Sequence, residues 1–127
     1  MDRDKKLEGG AFRFDEVSPR TVGGTHNMMI SHECIRGRLK SEALTVHIHR
    51  YHEGGFSTPN VHPHMEQVYV VQSGEGEVMV GGVTTPISPG SVVFIPRNAT
   101  HCVRNLGNGE LVMAFISVDL DKIPTAP

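Results

Sequence analysis

Short stretches of alternating or β-branched apolar residues, bounded by Gly, Pro or Asn, follow one another along most of the chain. Such stretches are typical of strands, and the residues that bound them are typical of turns. No stretch of 11 or more residues has a convincing helical period. The pattern therefore predicts an all-β domain, either a sandwich or a small barrel. The strands that it predicts are 44–51, 67–71, 76–80, 83–87, 91–95, 101–105 and 111–118.

The beginning of the chain predicts an arm outside this domain. Residues 11–17 alternate between apolar and polar, which predicts a short strand, and Ser18-Pro19 and Gly23-Gly24 interrupt the chain after it. We expect an arm over 1–24, a barrel over 25–120 and a tail over 121–127. The arm is expected to lie across the barrel or across a partner subunit.

Composition narrows the class of protein. The 127 residues suit one domain, and 12 Lys and Arg against 14 Asp and Glu leave no basic stripe for a nucleic acid. No apolar run approaches the roughly 20 residues that span a bilayer. The first six residues lack the apolar stretch of a signal peptide, so we expect a cytoplasmic protein. Cys34 and Cys102 are too few for a disulfide scaffold and are expected to stay reduced.

Histidine is the residue type that points to chemistry. The chain has eight histidines, and five of them lie in one window of 18 residues. Neutral imidazole nitrogen is a good ligand for borderline metals, so this cluster indicates a metal site. The five are His47, His49, His52, His62 and His64.

Two spaced motifs in the second half of the chain resemble those of the cupin superfamily. The first runs from Gly54 through Asn60, His62 and Gln67 to Gly74, and is similar to G-x5-H-x-H-x4-E-x6-G. The second runs from Gly90 through Pro96, Asn98 and His101 to Asn105, and is similar to G-x5-P-x-G-x2-H-x3-N. The resemblance implies a double-stranded β-helix, or jelly-roll, cupin barrel of six to eight strands. It also implies a homodimer formed by sheet-on-sheet packing, with residues 10–36 as the segment that exchanges.

Three residues depart from the cupin pattern. Asn98 replaces a glycine, and asparagine is the non-glycine residue that best tolerates a positive φ. Gln67 replaces the usual glutamate, as in cupins that open the ring of unsaturated uronates, and its amide oxygen is an uncharged ligand. Asn60 replaces the first histidine and is a weaker oxygen ligand.

Strand geometry favours a metal site at these positions. Residues two apart share a face of a strand, so Asn60 and His62 point the same way, and Gln67 and His101 can converge with them from other strands. Such a site with open positions suits Fe, Mn, Ni or Zn. A competing register pairs His62 with His64 and takes Glu66 or Gln67 as the third ligand. A pocket without metal, which keeps its histidines as hydrogen-bond partners, is a third possibility.

The strand that carries His47 and His49 allows two orientations. In one, Leu44, Val46 and Ile48 form the core and the histidines face solvent. In the other, which follows from the cupin resemblance, His47, His49 and Tyr51 face the barrel. In that case Tyr51 and His49 are candidate catalytic residues, either contacting substrate or transferring protons.

These features lead to two main hypotheses on function. The first is an enzyme whose divalent metal acts as a Lewis acid on a small organic acid or sugar-derived substrate, as an isomerase, a lyase or a uronate ring-opening enzyme. The second is a non-catalytic cupin that binds or senses a small ligand. A metal-dependent dioxygenase is a further alternative, although such iron enzymes usually have a carboxylate ligand that is missing here.

Overall fold

The structure, a computed structural model, describes residues 9–123 and consists mainly of β-strands. Two short 3-10 helices are found in these residues. Phe14–Glu16 precedes the strands along the chain, and Leu120–Lys122 follows them. No helix in the described part of the chain is long and apolar enough to cross a membrane. The nine strands are β1 Arg20–Thr21, β2 His26–Ile35, β3 Leu44–Ser57, β4 Met65–Ser73, β5 Gly76–Val80, β6 Val83–Ile87, β7 Val92–Ile95, β8 His101–Asn105 and β9 Leu111–Asp119.

The strands form one antiparallel sheet that curls into a jelly-roll half-barrel. Its order is β6-β5-β8-β3-β9-β4-β7, and β2 joins the other edge of β3 and carries β1. β9 lies between β3 and β4, although those two strands follow each other along the chain. The all-β jelly-roll expected from the sequence is confirmed, with nine strands within residues 9–123 rather than six to eight.

The N-terminal part of the chain differs from its prediction. Residues 11–17 are not a strand, because the chain forms the 3-10 helix Phe14–Glu16 there and pairs with no neighbouring strand. This segment lies against the outer face of β2. The Phe14 ring meets the His32 ring edge-on at 5.1 Å, and His32 Nδ1 donates a hydrogen bond of 2.6 Å to the Val17 carbonyl. Residues 1–8 of the predicted arm and 124–127 of the predicted tail lie outside the described residues.

The inner face of the curled sheet holds both the core and a cavity. Buried residues alternate along β4 as Gln67, Tyr69 and Val71, and along β8 as His101, Val103 and Asn105. This is the alternation that the sequence predicts. The core also includes Met29, Leu111 and Met113, each no more than 1% exposed.

Asn98 occupies a turn that favours glycine. Its φ is +69°, in the left-handed region that an alanine enters at a cost of about 1 kcal/mol. The backbone amide of Asn98 also donates to the His62 carbonyl at 2.9 Å, which ties the second motif to the first. The prediction that asparagine preserves this tight turn is confirmed.

The backbone conformation of Asn98 leads to a stability prediction. We expect Asn98→Ala to lower the free energy of unfolding by about 1 kcal/mol, because alanine lacks the local polar contacts that help asparagine adopt this φ. Asn98→Gly should stay within about 0.5 kcal/mol of the wild type. Urea unfolding followed by circular dichroism measures both values. Equal stability of the alanine and glycine variants would contradict the prediction.

Candidate metal centre and cavity

A cavity of about 220 Å³ opens on the inner face of the sheet. The motif residues Asn60, His62, Gln67 and His101 all contribute to its wall. Strands β1, β2, β3, β4 and β9 supply most of the rest. The curled sheet therefore gathers four positions that are up to 41 residues apart in the sequence around one space.

Backbone pairing holds the two motifs together. Asn60 forms an isolated antiparallel bridge with His101, in which the Asn60 amide donates to the His101 carbonyl at 3.0 Å and the His101 amide donates back at 2.9 Å. Because both backbones are fixed in this way, the His62 and His101 rings lie side by side with their centroids 5.3 Å apart.

Both of these imidazoles have features of metal ligands. His101 Nδ1 lies 3.0 Å from the Ala99 carbonyl, which can only accept, so Nδ1 carries a proton and Nε2 is the ring nitrogen left to bind a metal. Burial lowers the pKa of His62, and the neighbouring His101 lowers it further, so His62 is neutral at pH 7.

Gln67 provides an unsatisfied oxygen beside them. The residue is 3% exposed, and its Oε1 has no hydrogen-bond partner among residues 9–123, whereas its Nε2 approaches Met65 Sδ at 3.5 Å. A buried acceptor without a partner costs about 1–3 kcal/mol. A cation or a ligand donor in the cavity would remove this cost.

Asn60 has different contacts from the other three motif residues. Its Oδ1 accepts a hydrogen bond of 2.8 Å from the Val61 amide, and its Nδ2 lies 3.4 Å from His62 Nε2. The Asn60 side chain therefore presents its amide nitrogen to His62, while its oxygen is already occupied.

The donor set as a whole fits a divalent cation with neutral ligands. Among residues 9–123, no group of three His, Cys, Asp or Glu side chains lies close enough to hold a metal. The available donors are the two imidazoles of His62 and His101 and the amide oxygen of Gln67. Two nitrogens and one uncharged oxygen suit borderline metals such as Fe, Ni or Zn better than hard cations.

The structure places His64, the additional histidine of the competing ligand set, away from the other candidates. His64 lies outside the cavity, with its side chain 67% exposed and its Nδ1 3.1 Å from Asp121 Oδ2. Glu66 is on the opposite face of β4 from Gln67 and pairs across to Val118 of β9. The structure thus brings His62 together with Gln67 and His101, and not with His64.

The β3 residues face the cavity side of the sheet. His47 and His49 line the cavity, and Tyr51 continues the same face as part of the core. His49 stacks on Phe115 with centroids 4.4 Å apart, and burial lowers the pKa of His49 to about 3. Burial also raises the pKa of Tyr51, so its hydroxyl keeps its proton. Both candidates are therefore neutral at physiological pH.

Strand β2 adds residues that sequence reasoning missed. His26 and Ser31 line the cavity, and Ser31 Oγ is buried without a hydrogen-bond partner. Arg20 of β1 reaches the same cavity and pairs with Glu33 at 2.5 Å. The motifs begin at Gly54 and give no signal for these positions; the only available signal was the high histidine content.

Comparisons with known proteins agree with this architecture. The sequence profile described as the Cupin domain matches residues 47–118. An L-ectoine synthase from Vibrio campbellii is 37% identical over 87 residues, which cover 66% of this chain and 67% of that protein.

Two solved structures are similar in fold. A protein from Thermotoga maritima, described as a predicted oxalate decarboxylase, superimposes with a TM-score of 0.77 at 20% identity and covers 87% of this chain and 100% of its own. A polyketide cyclase from Streptomyces resistomycificus also gives a TM-score of 0.77, at 16% identity, over 92% of this chain and 83% of its own. At these identities the likeness concerns the fold alone.

Proposed function

Since this chain belongs to the cupin family, we propose that it is an enzyme that uses a divalent metal on a small organic acid or sugar-derived substrate. The observation that carries this proposal is the unpartnered, buried Gln67 Oε1 in a cavity shared with the imidazoles of His62 and His101. A cavity of about 220 Å³ is smaller than the roughly 300–1,000 Å³ of sites for drug-sized ligands, which favours a small metabolite.

Three residues would hold the metal. His62 and His101 would bind it through imidazole nitrogen, and Gln67 through Oε1. When bound, Fe, Mn, Ni or Zn supplies Lewis acidity toward a carbonyl or enolate oxygen. Asn60 is not among these ligands, because its own oxygen already accepts from the Val61 amide.

The remaining cavity residues would handle the substrate. His49 is neutral, buried and in contact with the cavity, so it is suited to accept or donate a proton within it. Tyr51 keeps its phenol proton and reaches the cavity through its neighbour His26. Among the reaction types open to this site, the similarity to L-ectoine synthases, which are lyase-type cupin enzymes, favours a lyase.

Metal content tests the proposed function. We expect near-stoichiometric Fe, Mn, Ni or Zn by inductively coupled plasma mass spectrometry on protein purified without a chelating column. His101→Ala removes one imidazole ligand and should weaken metal affinity at least about tenfold. His64→Ala, a matched loss of an exposed histidine outside the cavity, should leave the content unchanged.

The same measurement distinguishes a second candidate function. The absence of a carboxylate from the donor set favours a cupin that binds a small ligand without catalysis. Wild-type protein that takes up no metal after incubation with each divalent ion would exclude the proposed metalloenzyme and leave this binding role.

We also propose that the chain forms a homodimer through the outer face of the sheet. Phe94, Val68, Ile116 and Val46 are successive cross-strand neighbours on β7, β4, β9 and β3, on the face opposite the cavity. Phe94 is 54% exposed. An antiparallel sheet that faces solvent on one side usually carries polar residues there, so an apolar outer face indicates that a second copy covers it.

A charge on this face should separate the subunits. We expect Phe94→Lys to convert a dimer into a monomer at the same protein concentration, because it places an ammonium group within an apolar contact. Light scattering coupled to size-exclusion chromatography measures the mass. Leu106→Lys, an exposed apolar residue in the loop after β8, is the control and should stay dimeric. A monomeric wild type would refute the dimer.

A further inference from the structure

We propose that His26 is the hydrogen-bond donor that this cavity offers to a substrate oxygen, and that Tyr51 is the positioning residue that selects its donor nitrogen. The inference rests on the proposed function only in that the cavity receives a small molecule. It assigns a role to a residue of β2, a strand that lies outside the residues 47–118 matched by the cupin profile.

The position of His26 is set by strand pairing. His26 lies opposite Ser57 in the β2–β3 ladder, and its ring lies against the cavity. Its Nδ1 is 2.8 Å from the Tyr51 hydroxyl. The His49 ring meets it edge-on at 5.5 Å. Since Nδ1 is engaged by Tyr51, Nε2 is the ring nitrogen left for the cavity.

The direction of the Tyr51–His26 hydrogen bond follows from the chemistry of the two groups. A phenol hydroxyl is a stronger donor than the N–H of a neutral imidazole, and an imidazole nitrogen is a stronger acceptor than a phenol oxygen. Burial raises the pKa of Tyr51, so its hydroxyl has a proton to donate. The phenol proton of Tyr51 is then directed to His26 Nδ1, and the neutral ring carries its own proton on Nε2.

This arrangement gives the cavity two chemically different sides. Gln67 presents an unpartnered amide oxygen, and His62 and His101 present imidazole rings, which together suit a cation or a donor. His26 presents an N–H group, which suits an oxygen with available lone pairs. Burial lowers the pKa of His26, and nearby His62 and His101 lower it further, so the ring stays a neutral donor at pH 7. The substrate class that fits both sides carries a carbonyl or carboxylate oxygen.

The tautomer of His26 can be read directly. Long-range proton–nitrogen correlation spectra of the full chain, labelled with ¹⁵N-histidine and loaded with diamagnetic Zn²⁺, report which ring nitrogen carries hydrogen. His32 and His101 donate through Nδ1 to backbone carbonyls and serve as internal references for the opposite tautomer. We expect His26, assigned by its loss in His26→Gln, to be protonated on Nε2. Protonation on Nδ1 would overturn the proposal.

One variant tests the positioning role of Tyr51. Tyr51→Phe removes the hydroxyl and should abolish the tautomer preference of His26. The tautomer of His26 in the wild type, read as above, keeps the proposal testable if Tyr51→Phe does not fold. An unchanged Nε2 tautomer in a folded Tyr51→Phe variant would refute the role of Tyr51.

Formate tests the donor role of His26. It is the smallest carboxylate, so the size of the cavity does not prevent it from binding. We expect formate to shift the His26 Nε2 signal, and His26→Phe to raise the dissociation constant about fivefold, as the loss of one hydrogen bond predicts. His26→Gln retains an N–H donor, so its dissociation constant for formate should lie closer to that of the wild type. No shift of the Nε2 signal would overturn the donor role. Metal content, measured on the same samples, reports separately on the proposed function.

Discussion

Replacing Asn105 with leucine should lower the free energy of unfolding by about 4 kcal/mol. Asn105 is 4% exposed, and its Nδ2 lies within 3.1 Å of three carbonyls, those of Tyr51, His52 and Gly109. Its Oδ1 accepts from the Gly107 amide at 2.9 Å. Leucine has a similar shape but leaves these backbone groups without partners inside the protein.

Urea unfolding at pH 7 gives the measurement, and the neighbouring Asn108 gives the control. Asn108 lies in the loop that follows β8 and is exposed, so Asn108→Leu should change the stability by no more than about 0.5 kcal/mol. A loss below about 1 kcal/mol for Asn105→Leu would show that water replaces the hydrogen bonds of Asn105. Because two of the carbonyls belong to β3, we also expect the variant to loosen the strand that carries Tyr51.

The second large effect concerns acid stability. Lowering the pH from 7 to 5 should reduce the free energy of unfolding by at least about 2 kcal/mol, and His49→Phe should remove about that much of the loss. The pKa of His49 is lowered from 6.5 to about 3 in the folded protein by burial. Between these two values the unfolded chain binds a proton that the folded chain does not, so stability falls as the pH falls through this window.

Phenylalanine is a suitable replacement because His49 already stacks on Phe115. Stability is measured by urea unfolding at both pH values for the wild type and the variant. His64→Gln removes an exposed histidine and should retain the full pH dependence of the wild type. If His49→Phe loses as much stability on acidification as the wild type, then folding does not lower the pKa of His49.

The sequence predicts strands accurately where alternation is regular. Gly76–Val80, Val83–Ile87 and His101–Asn105 have the predicted bounds. The sequence does not predict β2, because the pairing of this strand with β3 shifts register between Asn27 and Met29 and again between Glu33 and Ile35. Each bulge breaks the period of two on which strand prediction depends.

The candidate site is predictable to the extent that the motifs carry it. Asn60, His62, Gln67 and His101 do line one cavity. The orientation of His47 and His49 could not be decided from the sequence, because both faces of β3 are largely apolar or aromatic and each could form a core. His26 could not be predicted either, because its contribution depends on the long-range pairing of β2 with β3.

The central position of β9 also determines when the protein can fold. β3 and β4 are made before β9, and each has one edge that pairs with β9, with Leu44 opposite Val118 and Met65 opposite Asp119. Pairing between segments so distant in the chain folds slowly. The hairpin of β5 and β6 can form as the chain emerges from the ribosome, whereas the cavity must wait for residues 111–119. Until then the apolar strands β3 and β4 have open edges, which makes this interval of synthesis the one most exposed to aggregation.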